Sequence, residues 1–530
     1  MLKVRGLPPR RLHREEVSPV KYSARCLLFL LLSSSATLAQ TTATSGFRTV
    51  LVDADRVIGE IHSFQGLNGM PAPVMAGLPS LVKQYRGLRI GMVRTHDVMG
   101  PTDVDAKFKY DDKYLGWLIP DSAQRAGVTT AGNASIVFPN ENADPEKPES
   151  YNFGPTDKML AAVHASGAEV YYRIGRSWGA NTEPPADFDK YASVVKHIAM
   201  HYNQGWDRGF HWNIRYWEFW NEPGDIFWTG TPEQFYSLYA KTALALKSVD
   251  PALKVGGDAI ANPLDDGAYR EGFIDYCAAH KLPLDFYSWH TYADSSADPY
   301  DAARLALEIR RVLDAHGFPK AESILSEWNL SSDFTEKEKA ELQGPHNAAY
   351  IGAVMSYFQD APIDHAMFYR GDAAWMGLFD LQGQYFKTAY TFKAMGQMLD
   401  TPQRIAVQGA DTFGFAVLAG RSTDGRTVQI LISNYEIPES KLKAPHSTSD
   451  ASNEKSLAPR SGIVYHDNAG YNLAVDHLPW GNAAFTLKRY RIGKTQNLDL
   501  VEEKSETGPG LKLSNALTTD AVELIALERR

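Results

Sequence analysis

Eight short apolar runs alternate with longer stretches of helical periodicity in the first three quarters of this chain. The runs are 64–69, 91–96, 169–175, 216–222, 254–260, 286–292, 323–329 and 365–371. The helical stretches are 74–86, 155–166, 188–202, 232–249, 268–280, 299–316, 346–360 and 388–399. Alternation of this kind predicts a parallel sheet covered by helices. Because eight units in series close on themselves, we expect an α/β fold, a (β/α)₈ TIM barrel over 64–399.

A second, smaller domain is expected after the barrel. The runs 413–418, 427–433, 484–490 and 521–527 alternate like antiparallel strands, which predicts a β-sandwich domain over 400–530, completed by the strand-like segment 47–62. Residues 101–152 predict a long loop after the second barrel strand, with a β-like patch at 135–138. Residues 439–460, rich in Ser, Lys, Ala and Pro, predict another loop.

The N-terminus resembles a secretory signal peptide. Basic residues precede the apolar stretch 26–32, and small residues follow it. This order predicts a signal at 1–39 and a secreted or periplasmic protein. The apolar stretch is shorter than the roughly 20 residues of a membrane span, so no stable membrane insertion is expected after cleavage. The long leader leaves the start codon and the cleavage site open.

Charge and cysteine content exclude several classes. The 54 Lys and Arg residues against 63 Asp and Glu give a net charge of −9, and the body of the chain has no basic block, so nucleic acid is not an expected partner. Cleavage of the signal would remove Cys26 and leave Cys277 alone, which excludes an internal disulfide and a cysteine-built zinc site. The oligomeric state is left open.

Two glutamates stand where barrel strands end. Residues 216–224 read Tyr-Trp-Glu-Phe-Trp-Asn-Glu-Pro-Gly, with Asn221 and Glu222 at the end of the fourth strand, and Glu327 ends the seventh. Active sites of TIM barrels form at this end of the strands. A pair of facing carboxylates suits glycosidic bond cleavage, in which one protonates the leaving oxygen and the other attacks the sugar. Glu222 is the expected acid/base and Glu327 the expected nucleophile.

An internal rival to Glu222 is Glu218, four residues earlier on the same strand. It would point to the same face of a regular strand, but it lies deeper in the barrel and lacks the Asn-Glu-Pro context. Glu327 is expected to stay ionised, and its charge to raise the pKa of Glu222.

On these motifs the sequence resembles glycoside hydrolase family 39, a retaining family of (β/α)₈ enzymes that includes β-xylosidases and α-L-iduronidases. The resemblance covers 48–399. It implies that Glu222 is the acid/base and Glu327 the nucleophile. It also implies that Asn221 binds the hydroxyl next to the anomeric carbon, and that an oligosaccharide or polysaccharide is the substrate.

Two smaller matches add to the resemblance. Val-Arg-Thr-His at 93–96 is similar to the second-strand signature of the family, and Ser-Trp-His-Thr-Tyr at 288–292 is similar to the sixth. They imply that His96 lies in the sugar subsite with Arg94 near the nucleophile. His290 and Tyr292 are implied to contact the sugar and the nucleophile.

The eighth strand departs from the family pattern, because the expected tryptophan is replaced by Met-Phe-Tyr-Arg-Gly-Asp at 367–372. The preference for xylose is therefore open. Arg370 could hold the carboxylate of a uronic acid through a bidentate contact, or it could be a structural ion-pair partner. Aromatic residues near the expected loops could stack on sugar rings. Trp178 and Trp375 are the stronger candidates, and Phe227, Trp228 and Trp328 are the weaker ones.

Two other functions compete with that of a β-xylosidase-like retaining hydrolase. A metal-dependent hydrolase would need paired histidines, and the chain has neither His-x-His nor His-Glu-x-x-His, so we expect no metal and no cofactor. A non-catalytic carbohydrate-binding barrel would not need both glutamates. Within the family, α-L-iduronidase, arabinosidase and endo-acting exopolysaccharide hydrolase activities stay open.

Overall fold

A computed structural model describes most of the chain beyond residue 46. The described residues are 47–73, 75–105, 129–130, 135–177, 182–224, 227–265, 267–294, 296–332, 335–373, 375–441, 456–460 and 469–530. The expected signal peptide, with Cys26, lies outside them. So do Trp178, most of the first predicted loop and residues 442–455 of the second.

Nineteen strands and nine α-helices make up the described part of the chain. The strands are β1 (Phe47–Glu60), β2 (Gly66–Asn68), β3 (Met75–Ala76), β4 (Met92–Arg94), β5 (Thr129–Thr130), β6 (Glu169–Ile174), β7 (Tyr216–Phe219), β8 (Lys254–Ile260), β9 (Phe286–Tyr292), β10 (Glu322–Asn329), β11 (His365–Phe368), β12 (Gln403–Gln408), β13 (Phe415–Arg421), β14 (Thr427–Asn434), β15 (Gly470–Asp476), β16 (Ala484–Ile492), β17 (Asn497–Thr507), β18 (Leu511–Ala516) and β19 (Ala521–Arg529). The helices are α1 (Val82–Gly87), α2 (Gly154–Ser166), α3 (Phe188–Gln204), α4 (Pro232–Val249), α5 (Phe273–His280), α6 (Asp301–Ala315), α7 (Glu336–Gln343), α8 (Pro345–Phe358) and α9 (Lys387–Met398).

Eight parallel strands close the barrel in the order β2-β4-β6-β7-β8-β9-β10-β11, and β11 pairs back onto β2. Seven of the eight predicted runs contain one of these strands, and the run 323–329 covers all of β10 except its first residue. The prediction of a (β/α)₈ barrel is therefore confirmed. Their residues are buried almost throughout, as expected for parallel strands that are covered on both faces. Thr231 caps α4 through a capping box with Gln234, which fixes where that helix begins.

The first helix is shorter than predicted. The pattern indicated 74–86, whereas α1 spans Val82–Gly87. The preceding residues Met75–Ala76 form β3, which pairs with β5. A long-range strand pairing therefore replaces the first turns of the helix. The β-like patch at 135–138 is also wrong as a strand, although Val137 and Phe138 donate backbone hydrogen bonds to Asp103 and Val104.

The remaining strands form one nine-stranded sheet in the order β17-β16-β19-β14-β13-β12-β1-β15-β18. β1 pairs with β12 on one side and with β15 on the other, so the N-terminal segment joins the C-terminal strands. Side chains from strands far apart in this order, among them Leu487 of β16 and Leu473 of β15, share one hydrophobic core. The sheet therefore curls over on itself into a sandwich-like layer.

Within the described ranges, no helix combines the length and the apolar character that crossing a lipid bilayer requires.

Candidate active site

The residues singled out at the ends of the barrel strands converge on one place. Arg94 ends β4, His290 and Tyr292 lie in β9, and Glu327 lies in β10. Asn221 and Glu222 follow β7 directly, and His96 follows β4. Since parallel strands present their carboxyl ends at one mouth of the barrel, these side chains meet although they are far apart in the chain.

Glu222 and Glu327 face each other across His290. The Nδ1 atom of His290 lies 2.7 Å from Oε1 of Glu222 and 3.7 Å from Oε2 of Glu327. One oxygen of each carboxylate and one ring nitrogen of His290 all lie within 4.8 Å of one another. The Glu222 side chain is 16% exposed and that of Glu327 is 6% exposed. Both carboxylates therefore border a single site, and Glu222 is the more accessible.

Both oxygens of Glu327 have fixed partners. Nη1 of Arg94 donates to Oε1 at 2.7 Å, and the hydroxyl of Tyr292 donates to Oε2 at 2.6 Å. Burial raises the pKa of Glu327 above its ordinary value, and the charge of Glu222 adds to the rise, while Arg94 and Tyr292 oppose it. The contacts hold the carboxylate in one orientation.

Arg94 is the buried hub of the site. Its guanidinium donates to Glu218 at 2.5 Å, to Glu327 at 2.7 Å and to Oδ1 of Asn221 at 2.7 Å. A guanidinium has no acceptor, so Oδ1 of Asn221 must face Arg94 and its amide nitrogen must point the other way. Asn68 accepts a further hydrogen bond from Arg94 at 3.1 Å.

Glu218, the internal rival, is fully buried below the mouth. One of its oxygens accepts from Arg94, and the other accepts from the hydroxyl of Tyr171 at 3.1 Å. Two carboxylates, Glu218 and Glu327, are thus paired with one buried cation, and these hydrogen-bonded contacts offset part of the cost of burying the guanidinium. This environment gives Glu218 a supporting position and no access to a ligand at the mouth.

The two histidines of the site, His96 and His290, are difficult to protonate. Burial lowers the pKa of His290 to about 4, although the charge of Glu327 acts in the opposite direction. Burial, followed by the charge of Arg94, lowers the pKa of His96 well below its usual value. Both shifts favour the neutral ring at neutral pH. The His290 ring has hydrogen-bond contacts at both nitrogens, whereas Nδ1 of His96 is buried without a hydrogen-bond partner among the described residues. Ser326 Oγ lies 3.1 Å from Nε2 of His290 and fixes the other edge of that ring.

The turn that carries Glu222 has an unusual backbone. Trp220 and Glu222 both have positive φ angles, 67° and 43°. The amide of Trp220 donates to Ile174 of β6, and the amide of Glu222 donates to Ala259 of β8. Bonds to both neighbouring strands hold this conformation in place, which is how strained residues persist at functional sites.

Arg370 and Trp375 do not join the cluster as ligand-binding residues. The Arg370 guanidinium is 2% exposed and forms a bidentate contact of 2.5 Å with Asp372, so the structure favours the ion-pair alternative over carboxylate binding. Trp375 is 5% exposed, with Lys339 over its ring at 5.0 Å. It is packed away from solvent, and a stacking surface on it is not open.

Two of the other aromatic candidates, Trp328 and Trp228, belong to the core, whereas Phe227 is half-buried. Trp328 packs against Phe358 and Phe368, and Trp228 packs against Trp220 and Phe235. Phe227 contributes its backbone carbonyl, which accepts from the indole of Trp220. The position of Trp178 lies outside the described residues.

Several supporting residues could not be singled out beforehand. Asn68, Tyr171 and Ser326 hold Arg94, Glu218 and His290 respectively. Asn68 and Ser326 also lie at or near strand ends, and that position was the one available signal.

A metal alternative would have to use the same atoms. Among the described residues, the one group of three or more His, Cys, Asp and Glu side chains with converging ligand atoms is Glu222, His290 and Glu327. Arg94 already binds Glu327 there, and a nearby cation disfavours a second positive charge.

Comparisons with known proteins agree with this geometry. The model of the family described as glycosyl hydrolases family 39 matches residues 158–370, which include both glutamates. Two curated β-xylosidases match: that of Geobacillus stearothermophilus is 27% identical over 253 residues, 42% of this chain and 48% of the relative. That of Caldicellulosiruptor saccharolyticus is 29% identical over 215 residues, 38% of this chain and 41% of the relative. The matches thus span about half the length of these relatives or less.

A solved structure extends the likeness over most of the chain. The crystal structure of a glucosidase from Croceicoccus marinus is 34% identical, with a TM-score of 0.76. The match covers 92% of this chain and 100% of that chain. With the motifs, the barrel and both glutamates in place, the chain belongs to glycosyl hydrolases family 39.

Proposed function

We propose that the protein is a retaining glycoside hydrolase with Glu222 as general acid/base and Glu327 as nucleophile. The observation that carries the proposal is the approach of oxygens of Glu222 and Glu327 to within 4.8 Å, with His290 between them. Carboxyl groups about 5–5.5 Å apart are typical of retaining enzymes, whereas inverting enzymes leave about 6.5–9.5 Å for a water molecule. The separation therefore favours double displacement.

The reaction then takes two steps. Glu327 attacks the anomeric carbon while Glu222 gives its proton to the departing oxygen, so a glycosyl ester forms and the leaving alcohol departs. Glu222, now a carboxylate, takes a proton from water, and that water cleaves the ester and frees Glu327. His290 contacts Glu222 at 2.7 Å and orients it through both changes of protonation.

The substrate is proposed to be a neutral sugar unit of an oligosaccharide or polysaccharide, with a β-xyloside as the first candidate. The curated relatives are β-xylosidases, and Arg370, the residue considered for a uronic acid, is taken up by Asp372. A glucoside is the second candidate, because the relative from Croceicoccus marinus, whose solved chain is matched over its whole length, is a glucosidase.

Two variants test the roles. Glu327→Gln should lower kcat by at least about a thousandfold, since it removes the attacking oxygen. Glu222→Ala should cost about 10²–10⁴-fold on substrates with poor leaving groups, but it should form the glycosyl ester rapidly from an activated aryl glycoside and respond to added azide. Glu149→Gln, at an exposed position of the short 3₁₀ helix Pro148–Ser150, is the matched control and should behave as the wild type.

A panel of aryl β-xylosides, β-glucosides, α-L-arabinosides and α-L-iduronides measures the sugar preference, and treatment with EDTA tests for a metal. If both glutamate variants keep wild-type turnover, or if EDTA abolishes activity and Zn²⁺ restores it, the proposed mechanism is wrong.

We also propose that the protein is exported, on the pattern of residues 1–39. Mass spectrometry of the protein secreted or released from the periplasm should find a mature N-terminus near Ala39. Retention of the intact leader on a cytoplasmic protein would contradict the proposal.

A further inference from the structure

A second pocket opens on the face of the barrel that carries Glu222 and Glu327. This lateral pocket has a volume of about 180 Å³ and is bounded by residues 104–105, 138–142 and 185–194. The first two segments belong to the connection after β4, and the third contains the end of the connection after β6 and the start of α3. Because both connections leave the carboxyl ends of barrel strands, the lateral pocket and the catalytic pair lie on one face.

One ion pair links the lateral pocket to the catalytic turn. The guanidinium of Arg176 binds both carboxylate oxygens of Asp105, at 3.0 and 3.1 Å. The same guanidinium lies 5.5 Å from the ring centre of Trp220, two residues before Glu222. Asp105 lines the lateral pocket, so a ligand there would lie beside the wall of the catalytic site.

Tyr191 gives the pocket a polar group without a protein partner. It lines the lateral pocket and is 3% exposed, yet its hydroxyl has no hydrogen-bond partner among the described residues. Burial raises the pKa of this hydroxyl well above its ordinary value, and the charge of Asp105 adds to the rise, so the group keeps its proton and can donate it. Buried hydroxyls are nearly always paired, so an unpaired one in the wall of a pocket is a hydrogen-bond donor that an ordered water or a polar group of a ligand would satisfy.

The other walls have the chemistry that binds sugars. Val104, Phe138 and Val194 supply apolar surface, while Asn142 supplies an amide. Among the described lining residues, three carboxylates (Asp105, Glu141 and Asp187) stand against one cation, Lys190. Arg176 compensates Asp105, and the remaining balance is still negative, so the pocket disfavours anions. Apolar walls with a few polar groups suit a ring that carries hydroxyls along its edge.

We propose that the lateral pocket is a second carbohydrate-binding site, which holds one neutral sugar unit. The inference rests on the proposed function for the class of ligand. Two sources of the sugar are distinguishable by experiment: a distant unit of the chain that is bound at the catalytic pair, or a separate saccharide.

The test measures binding in the Glu327→Gln protein, so that the probes stay intact. Ala186 lines the pocket and is exposed, so Ala186→Trp fills the mouth without disturbing the core. Ala279→Trp, at an exposed position on α5, is the matched control. Calorimetric titration with xylotetraose and cellotetraose should show at least a fivefold weaker affinity for one of them in Ala186→Trp and no change in Ala279→Trp.

Tyr191→Phe separates a binding role from a structural one. This variant should bind the same tetrasaccharide at least threefold more weakly. Its Tm should be unchanged or higher, because no hydrogen bond within the protein is lost. A purely structural tyrosine would lower the Tm.

The stoichiometry of the monosaccharide identifies the source. Two equivalents of xylose or glucose per chain, reduced to one by Ala186→Trp, indicate a separate saccharide, whereas an effect on tetrasaccharides alone indicates a distant unit of one chain. Equal affinities of the two tryptophan variants, including the case in which no tetrasaccharide binds, overturn the proposal. Because these measurements do not depend on turnover, they fail independently of the proposed mechanism.

Discussion

Arg94 is the residue that places most of the reactive groups. Its hydrogen bonds to Glu218, Asn221 and Glu327 connect β4 with β7 and β10. Arg94 stabilises the charged form of Glu327, while its ion pair with Glu218 offsets part of the cost of burying the guanidinium. Glu218 thereby shares the cation with Glu327.

Tyr292 is expected to set the pH at which Glu327 stops working. Burial holds the pKa of Glu327 above its ordinary value of 4.5, so activity is lost as the pH falls through that raised pKa. Tyr292→Phe removes a hydrogen bond that favours the carboxylate and is worth about 1.5–3 kcal/mol. The acid limb of kcat/KM should therefore move up by about one pH unit or more, measured over pH 3–8 on an aryl glycoside.

Tyr216→Phe is the matched control for this measurement. Tyr216 begins β7 and its hydroxyl also donates to a glutamate, Glu322, at 3.0 Å, but this contact lies at the opposite end of the barrel. Its removal should leave the acid limb in place. If the acid limb of kcat/KM in Tyr292→Phe coincides with that of the wild type, a group other than Glu327 controls the loss of activity at low pH.

The sequence alone indicated the two reacting glutamates more clearly than the residues that orient the side chains of the site. Glu222 and Glu327 could be singled out because each ends a recognisable strand in an aromatic motif. The alternatives for Arg370 could not be separated, since its partner Asp372 becomes decisive only when the loop folds back into a bidentate contact. Contacts such as that of Tyr171 with Glu218 depend on barrel register, which one sequence does not specify.

Among the elements, the turn after β7 has the tightest requirements. Gly224 has a φ of 92°, and a Cβ placed there would lie 2.6 Å from the ring of Tyr269. Gly224→Ala should therefore displace the turn and Glu222 with it. Hydrolysis of substrates with poor leaving groups should fall more than that of activated aryl glycosides, because protonation of the leaving oxygen matters most for the former.

Gly167→Ala provides the comparison for that variant. Gly167 also has a φ of 92°, but a Cβ there meets nothing within 4 Å. The Gly167→Ala variant should lose only about 1–2 kcal/mol in the free energy of unfolding, the cost of a left-handed backbone with a side chain, and its kcat should be unchanged. Equal ratios of the two substrate classes in Gly224→Ala and Gly167→Ala would argue against a role of the turn in placing the acid.

Strands of the barrel were easier to predict than those of the sheet. β8 and β9 match their predicted bounds, because buried parallel strands form continuous apolar runs. β17 escaped prediction because it is an edge strand of largely exposed, charged residues. The start of α1 was wrong because the pairing of β3 with β5 depends on a distant segment, and local periodicity does not report such a contact.

In the molecule as a whole, the barrel and the nine-stranded sheet share hydrophobic core. Trp289 of the barrel and Leu431 and Leu524 of the sheet belong to one buried cluster. Ser433 of β14 donates to the carbonyl of Ala349 in α8 at 2.6 Å. The described residues from Phe47 to the C-terminus accordingly form one compact unit.

Such a shared core predicts cooperative unfolding. Differential scanning calorimetry should give a single transition for the barrel and the sheet, with calorimetric and van't Hoff enthalpies that agree. Two separate transitions would show that the sheet unfolds independently of the barrel.

The central claim is that Glu327 attacks an anomeric carbon while Glu222 stands on the other side of the same bond. A 2-deoxy-2-fluoro glycoside of the preferred sugar, with a dinitrophenyl leaving group, should accumulate the glycosyl ester, and peptide mapping by mass spectrometry should find the added mass on Glu327. A label on any other residue, or a first-formed product with inverted configuration, would contradict the account.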